Sequence, residues 1–318
     1  MKTIGFTAFL FPFLVFLGGC CFGPSSSLIK IGYQMGFSAE TMILTQYIFG
    51  AACMLLLSAI YFVVMVLRKK PVKPAHQSPK DILLLLIVGI TIGLVSLTYL
   101  LSLESIPASL SVILLFQYTW ISILAEAVIK RKMPDLITII SVVILIVATL
   151  LAVGVGSIPL DSIDPMGVFF GFLSAIFYAI YIQLMGRLNR GIAPVFRSLI
   201  LLTTAVVFLT IIFSPFYFSP QFISDVVIGE NLWMIGIFLG VLGCAMPNFL
   251  FAIATPKIPA QLTTILSSSE LPASIICAVI IISEAVTPLQ WVGVVLLFFG
   301  IALPALAGLI KSRTASHS

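Results

Sequence analysis

Residues 262–279 read LTTILSSSELPASIICAV. Aliphatic side chains dominate the stretch, yet three consecutive serines, a glutamate and a proline occupy its middle. A bilayer core about 30 Å thick takes roughly 20 apolar residues of helix to cross, and the apolar run around this stretch, 259–282, has that length. Glu270 is then near the bilayer centre, where a charge costs at least ~2.5 kcal/mol against lipid. Such a carboxyl is expected to face protein or a wet cavity.

The rest of the chain has the same character. Of 318 residues 61% are hydrophobic and 8% charged, with a mean hydropathy of +1.24; soluble domains carry about 25% charged residues. Ten apolar runs recur, at 7–29, 43–67, 82–102, 107–129, 136–153, 166–186, 195–214, 232–252, 259–282 and 289–310. The fold class expected is an all-α integral membrane protein with ten transmembrane helices. FLGGCC at 16–21 resembles a lipoprotein processing site, but the chain continues as further apolar spans rather than a polar domain, so processing is not expected there. The net charge of +5 reflects short loops between spans rather than a basic face, which argues against nucleic-acid binding.

The loops fix an expected orientation. With the N-terminus inside, 15 of the 16 Lys and Arg fall on inner segments, among them Arg68, Lys69, Lys70, Lys73 and Lys80, Lys130 to Lys132, and Arg187, Arg190 and Arg197. Lys30 alone lies outside, with Glu40, Glu104, Asp161, Asp164, Asp225, Glu230 and Glu284. Cation-rich segments stay cytoplasmic, so both termini are expected in the cytoplasm of a multi-pass plasma-membrane protein.

An internal repeat underlies the ten runs. IPASL at 106–110 matches IPAQL at 258–262, and the ungapped match continues to Leu150 and Ala302 with 12 identities in 45 positions. KRK at 130–132 follows span four, whereas ISE at 282–284 stands at the equivalent place after span nine. An odd number of spans per unit inverts the second copy, and the charge reversal is what the orientation rule then requires. The expected organisation is two inverted five-helix repeats, 1–155 and 156–318, enclosing a midplane site as secondary transporters do.

The residues 268–303, SSELPASIICAVIIISEAVTPLQWVGVVLLFFGIAL, carry a family resemblance. An acid, an apolar helix, an acidic end, Leu-Gln and a glycine-bearing helix resemble the EamA type of the drug/metabolite transporter superfamily, with Glu270, Glu284, Gln290, Gly293 and Gly300 in those places. The first repeat departs from the pattern, having Lys132, Ser141 and Ala148 where the second has Glu284, Gly293 and Gly300. The resemblance implies a central cavity framed by helices one, three, four, six, eight and nine. It also implies movement, often export, of amino acids, other metabolites or drugs.

Candidate binding residues follow from depth and spacing. Thr263, Ser267, Glu270, Ser274 and Cys277 are spaced to share one helix face. Pro272 frees the Ser268 carbonyl and kinks the helix. No lysine or arginine lies at that depth, so Glu270 is expected either to exchange a proton with a cationic or zwitterionic substrate, or to stay protonated as a structural group. The repeat aligns Gln117, Tyr118 and Trp120 of span four with Ser269, Glu270 and Pro272, which sets Tyr118 opposite Glu270 across the cavity. For all three the alternative is packing or helix–helix hydrogen bonding. Tyr99, Tyr178 and Asn248 are further substrate-binding candidates. Glu126 reads as an i,i+4 partner of Lys130 or as an inner gate. Gly23-Pro24 is expected to kink span one beside Ser25 to Ser27.

No catalytic motif is present: HExxH, GxSxG and phosphate-binding loops are missing, and His76 and His317 lie in a loop and the tail. The five cysteines, all in apolar runs without a CxxC pair, suit neither a disulfide scaffold nor a metal site. The expectation is a secondary transporter without cofactor or metal, with a small-molecule substrate, protons and the lipid bilayer as partners and a homodimer as a candidate assembly. A passive channel or facilitator, and a non-transporting membrane sensor, are the rival readings; polarity concentrated at mid-depth favours a closed site over a pore.

Overall fold

A computed structural model of the chain describes residues 2–69, 78–106, 108–153, 164–188, 191–227 and 231–314. Lys70, Lys73, His76, Asp161, Arg190, Glu230 and His317, all weighed above, lie outside those residues. The described residues are helical throughout, without a strand. In chain order the helices are α1 (Lys2–Gln34), α2 (Ala39–Leu67), α3 (Pro79–Ser105), α4 (Ala108–Phe116), α5 (Tyr118–Lys130), α6 (Leu136–Val153) and α7 (Pro165–Met185). They continue as α8 (Pro194–Ile212), α9 (Pro220–Val227), α10 (Leu232–Gly240), α11 (Met246–Ala254), α12 (Ala260–Ser267), α13 (Glu270–Ile282) and α14 (Pro288–Thr314). Nine helical stretches among the described residues are long and apolar enough to cross a membrane, and they fall on the first nine predicted spans. The tenth predicted span falls on α14, whose apolar stretch Pro288–Pro304 is shorter.

The side chains sort for a lipid solvent. Leu55, Leu56 and Phe62 of α2, Val143 of α6 and Val295 and Phe299 of α14 are exposed, whereas Ser102, Ser111, Ser122, Thr264 and Ser267 are fully buried. A bilayer offers no hydrogen bonds, so hydroxyls turn inward and bond one another or a backbone carbonyl. Ser102 and Ser111, 2.9 Å apart, show this where α3 passes α4.

Helix partners come in matched sets. α1 packs on α12–α13 and on α10–α11, while α7 packs on α4–α5 and on α3. α2 packs on α8, and α6 on α14. Exchanging the first five spans for the last five maps this set of pairings onto itself.

Three spans are interrupted and one expected kink is not a break. α4 and α5 part at Gln117, α12 and α13 part at Ser268–Ser269, and a π-helical turn, Val241–Ala245, separates α10 from α11. α1 runs unbroken through Pro12 and Pro24.

On the acid-rich side a 3₁₀ turn (Ser214–Phe218) and α9 connect α8 to α10. Asp225 ties this connection to the start of α2. Its buried carboxylate accepts from the Ser38 backbone N–H at 3.0 Å, the Ser38 hydroxyl at 2.9 Å and the Thr41 hydroxyl at 2.7 Å. A negative group there also complements the helix N-terminus.

Close approach of α6 and α14 rests on small residues. A Cβ built on Gly293 would lie 2.4 Å from the backbone nitrogen of Ala152 and 2.9 Å from the carbonyl oxygen of Ala148. Backbone cannot give way as a side chain can, so a larger residue must push the helices apart. Gly293→Val is expected to lower stability by about 1–3 kcal/mol, read as a lower unfolding midpoint of the detergent-purified protein. An unchanged midpoint would show that the two helices do not need this contact.

Candidate functional site: a one-sided cavity around Glu270

The interruption at Ser268–Ser269 decides where Glu270 points. Pro272 has no N–H to give the Ser268 carbonyl, and the chain tightens so that the Leu271 N–H reaches it at 3.2 Å. α13 then restarts at Glu270 with Pro272 in its first turn, a position where proline is well tolerated. Because the helix is not continuous, the five residues expected on one face are divided. Glu270 and Ser274 border a cavity of about 200 Å³, whereas Thr263 and Ser267 are buried.

Glu270 Oε2 stands 3.5 Å from the Tyr178 hydroxyl, a long hydrogen bond. The same wall carries Tyr99 of α3, Phe116 of α4, Phe22 and Ser25 of α1, Gln46 and Tyr47 of α2, and Asn248 of α11. No lysine, arginine or histidine is among the described residues that line it. The Ser25 hydroxyl is buried without a hydrogen-bond partner among the described residues.

Of the nine residues predicted to bind substrate, the structure brings five to this wall: Glu270, Ser274, Tyr99, Tyr178 and Asn248. Tyr118, Gln117, Trp120 and Ser267 are not on it. Phe116 takes the wall position in α4, and a residue two places on is turned about 200° away. Tyr118 is fully buried behind Tyr178, with ring centroids 4.4 Å apart, and its hydroxyl lies 3.2 Å from Ser267 and 3.3 Å from Ser268. Gln117 serves its own break: its amide donates to the Ile113 carbonyl at 2.9 Å and accepts from the Trp120 indole at 2.7 Å. Glu126 is buried and bonds Lys130 one turn on, the ordinary i,i+4 pair.

Gln46, Tyr47 and Ser25 reach the wall without having been singled out for it. The available signal was the Gln-Tyr pair at 46–47, which recurs at 117–118. Gln46 has a further task, set by Pro247. In α-helical register residue 247 would donate to the Gly243 carbonyl, and a proline cannot. The Gln46 amide supplies that donor from α2 at 2.7 Å. Asn248 completes the turn, donating to the Cys244 carbonyl at 2.7 Å while accepting from the Tyr181 hydroxyl at 2.6 Å.

Among the described residues the cavity continues toward one end of the bundle. A second hollow of about 280 Å³ shares Ser26, Tyr33, Tyr99, Leu103 and Ser274 with it and continues to the acid-rich ends of the helices. Lys30 and Glu284 stand at that rim, 2.8 Å apart and about half-exposed. Toward the basic end, α5 and α12 meet in a seam of hydroxyls. Ser122 and Thr264 are 2.8 Å apart, and Gln183 of α7 donates to the Ser122 carbonyl at 2.8 Å.

Residues 165–305 match the profile of the EamA-like transporter family. The second half of the chain is an EamA domain. The chain is also 26% identical over 248 residues, 75% of its length and 78% of the relative's, to an uncharacterized inner membrane transporter, YicL, of Salmonella typhimurium strain LT2. Both likenesses agree with the resemblance to EamA-type drug/metabolite transporters carried by 268–303, the profile match covering 165–305. A solved crystal structure aligns over 95% of this chain and 98% of its own with a TM-score of 0.69 at 12% identity, a likeness of fold alone. The EamA domain contributes Tyr178, Asn248, Glu270 and Ser274 to the wall; the first half contributes Ser25, Gln46, Tyr47, Tyr99 and Phe116.

The Gln46 and Pro247 pair can be tested by compensation. Gln46→Met should destabilise the protein by about 1 kcal/mol or more, because the Gly243 carbonyl loses its donor. Adding Pro247→Ala restores a backbone N–H and should recover part of the loss in a denaturant titration of the purified protein. Additive losses in the double variant would refute the compensation.

Proposed function

We propose that the protein is a secondary transporter of the plasma membrane that exports small organic solutes by alternating access, exchanging substrate for a proton at Glu270. One observation carries the reading: a carboxyl at mid-span lines a cavity that continues through a second hollow to the Lys30–Glu284 rim, while on its other side α5 and α12 meet hydroxyl to hydroxyl. A site closed on one side is a binding site in a carrier cycle rather than a pore. The EamA family and the transporter-named relative support the same class.

The interchange of helix pairings supports two five-helix repeats, 1–155 and 156–318, inverted with respect to each other. Rocking one against the other would part the seam between α5 and α12 and close the hollow at the opposite end. The charge bias places both termini, and the seam, at the cytoplasmic face. On this reading the arrangement of the described helices corresponds to the outward-open half of the cycle. Exchange at Glu270 is single-site: the carboxyl releases its proton as substrate arrives and regains one as substrate leaves.

The test is solute flux in proteoliposomes across an amino-acid, amine and metabolite panel, with and without a pH gradient. The wild-type protein should accumulate at least one solute in a gradient-dependent way. Glu270→Gln should abolish that dependence and cut driven accumulation at least ten-fold. A variant that keeps the wild-type pH response would exclude proton exchange at this residue.

A further inference from the structure

We propose that the cavity is selective for amines without a carboxylate: a positively charged nitrogen at Glu270 with an aromatic or alkyl body against the rings beside it. The inference rests on the transport reading above and narrows its substrate class.

The charge inventory comes first. Among the described residues that line the cavity, Glu270 is the only carboxyl and none is basic. Lys30, the cation nearest the mouth, is at the rim and is paired with Glu284 at 2.8 Å. Thirteen residues, 271–283, lie between the two acids, nearly all of them in α13, which at 1.5 Å per residue sets Glu284 about 20 Å along the helix from Glu270. The carboxylate of a zwitterion bound at Glu270 would therefore enter a low-dielectric site without a cation in reach, beside a like charge. An unpaired buried charge is the costliest group a binding site can take in.

The nitrogen is well provided for. Glu270 receives only the long 3.5 Å contact from Tyr178, which leaves its oxygens free for a stronger, charge-assisted partner. Aromatic rings of Tyr99, Tyr178, Phe22 and Phe116 share the wall, and ring faces attract organic cations, most when water is excluded. Ser25 presents a hydroxyl with no partner among the described residues, a ready donor to a neutral polar group on the ligand. At about 200 Å³ the space exceeds the ~150 Å³ engineered cavity that holds benzene, enough for a ring and a short side chain.

Three probes sharing one ring separate the possibilities: phenethylamine, phenylalanine and phenylacetate, bound to the purified full-length protein at neutral pH. Phenethylamine should bind at least ten-fold more tightly than either of the others. Glu270→Gln should weaken it at least ten-fold while leaving the ligand-free unfolding midpoint in place. Tyr99→Phe, which keeps the ring, should bind within about three-fold of wild type, and Tyr99→Leu should lose ten-fold. Phenylalanine or phenylacetate binding as well as phenethylamine, no binding by any probe, or phenethylamine binding unchanged in Glu270→Gln would each overturn the proposal. Flux measured in parallel separates the two readings. Amine binding without movement of any solute would remove the transporter reading alone; transport of amino acids in preference to amines would remove this one alone.

Discussion

A polypeptide that breaks its helix at mid-membrane must satisfy the freed backbone groups from within, because lipid offers nothing to bond them. This chain does so three times, each with a different device. At Ser268 the chain tightens so that the Leu271 N–H replaces the one Pro272 lacks. At Gly243 a side-chain amide is brought from another helix, Gln46 of α2. At Gln117 the break carries its own amide, turned back onto Ile113. The breaks after Ser268 and around Gly243 border the cavity, and they determine which residues of their spans the cavity sees.

The same scarcity of partners organises the polar side chains. Hydroxyls that would be unremarked in water become the glue between helices, and they are distributed unequally along the bundle. Toward the basic ends Thr264, Ser267 and Ser268 bond across to Ser122 and Tyr118 of α5, and Gln183 of α7 donates to the Ser122 carbonyl. Toward the acidic ends the helices part around Tyr33, Tyr99 and Ser274, and the Lys30–Glu284 pair stands at the rim of that hollow. Between the two zones stands one carboxyl with a single long hydrogen bond. A fully bonded polar network would be rigid and inert. A carboxyl with spare acceptors on a cavity wall is a group whose partner arrives from outside.

Much of this was legible before any coordinates. Apolar runs of span length gave the helices, because crossing a hydrocarbon layer fixes both length and composition. A carboxyl within such a run had to face inward, so Glu270 was readable as a cavity residue from depth alone. The offset of 152 residues set Gln117 against Ser269, and both stand at helix interruptions, though only the kink at Pro272 in span nine was expected. Tyr99, Tyr178 and Asn248 were nameable as polar groups at plausible depth. Tyr118 was set in the cavity by the repeat and Ser267 by helical spacing; both lie next to an interruption and neither is on the wall.

What the sequence by itself determined, then, is the solvent, the spans and the depth of Glu270, since these depend on composition and on distance along a helix. What only the tertiary structure decided is azimuth and partnership: that Phe116 rather than Tyr118 meets the cavity, that Gln46 serves the Gly243 carbonyl, and that the hollow opens at one end. The physical reason is that a few degrees of backbone rotation at a non-helical turn, invisible in residue spacing, re-aim every side chain beyond it. Which helix then supplies the missing donor depends on neighbours almost two hundred residues away along the chain, as Gln46 and Gly243 are.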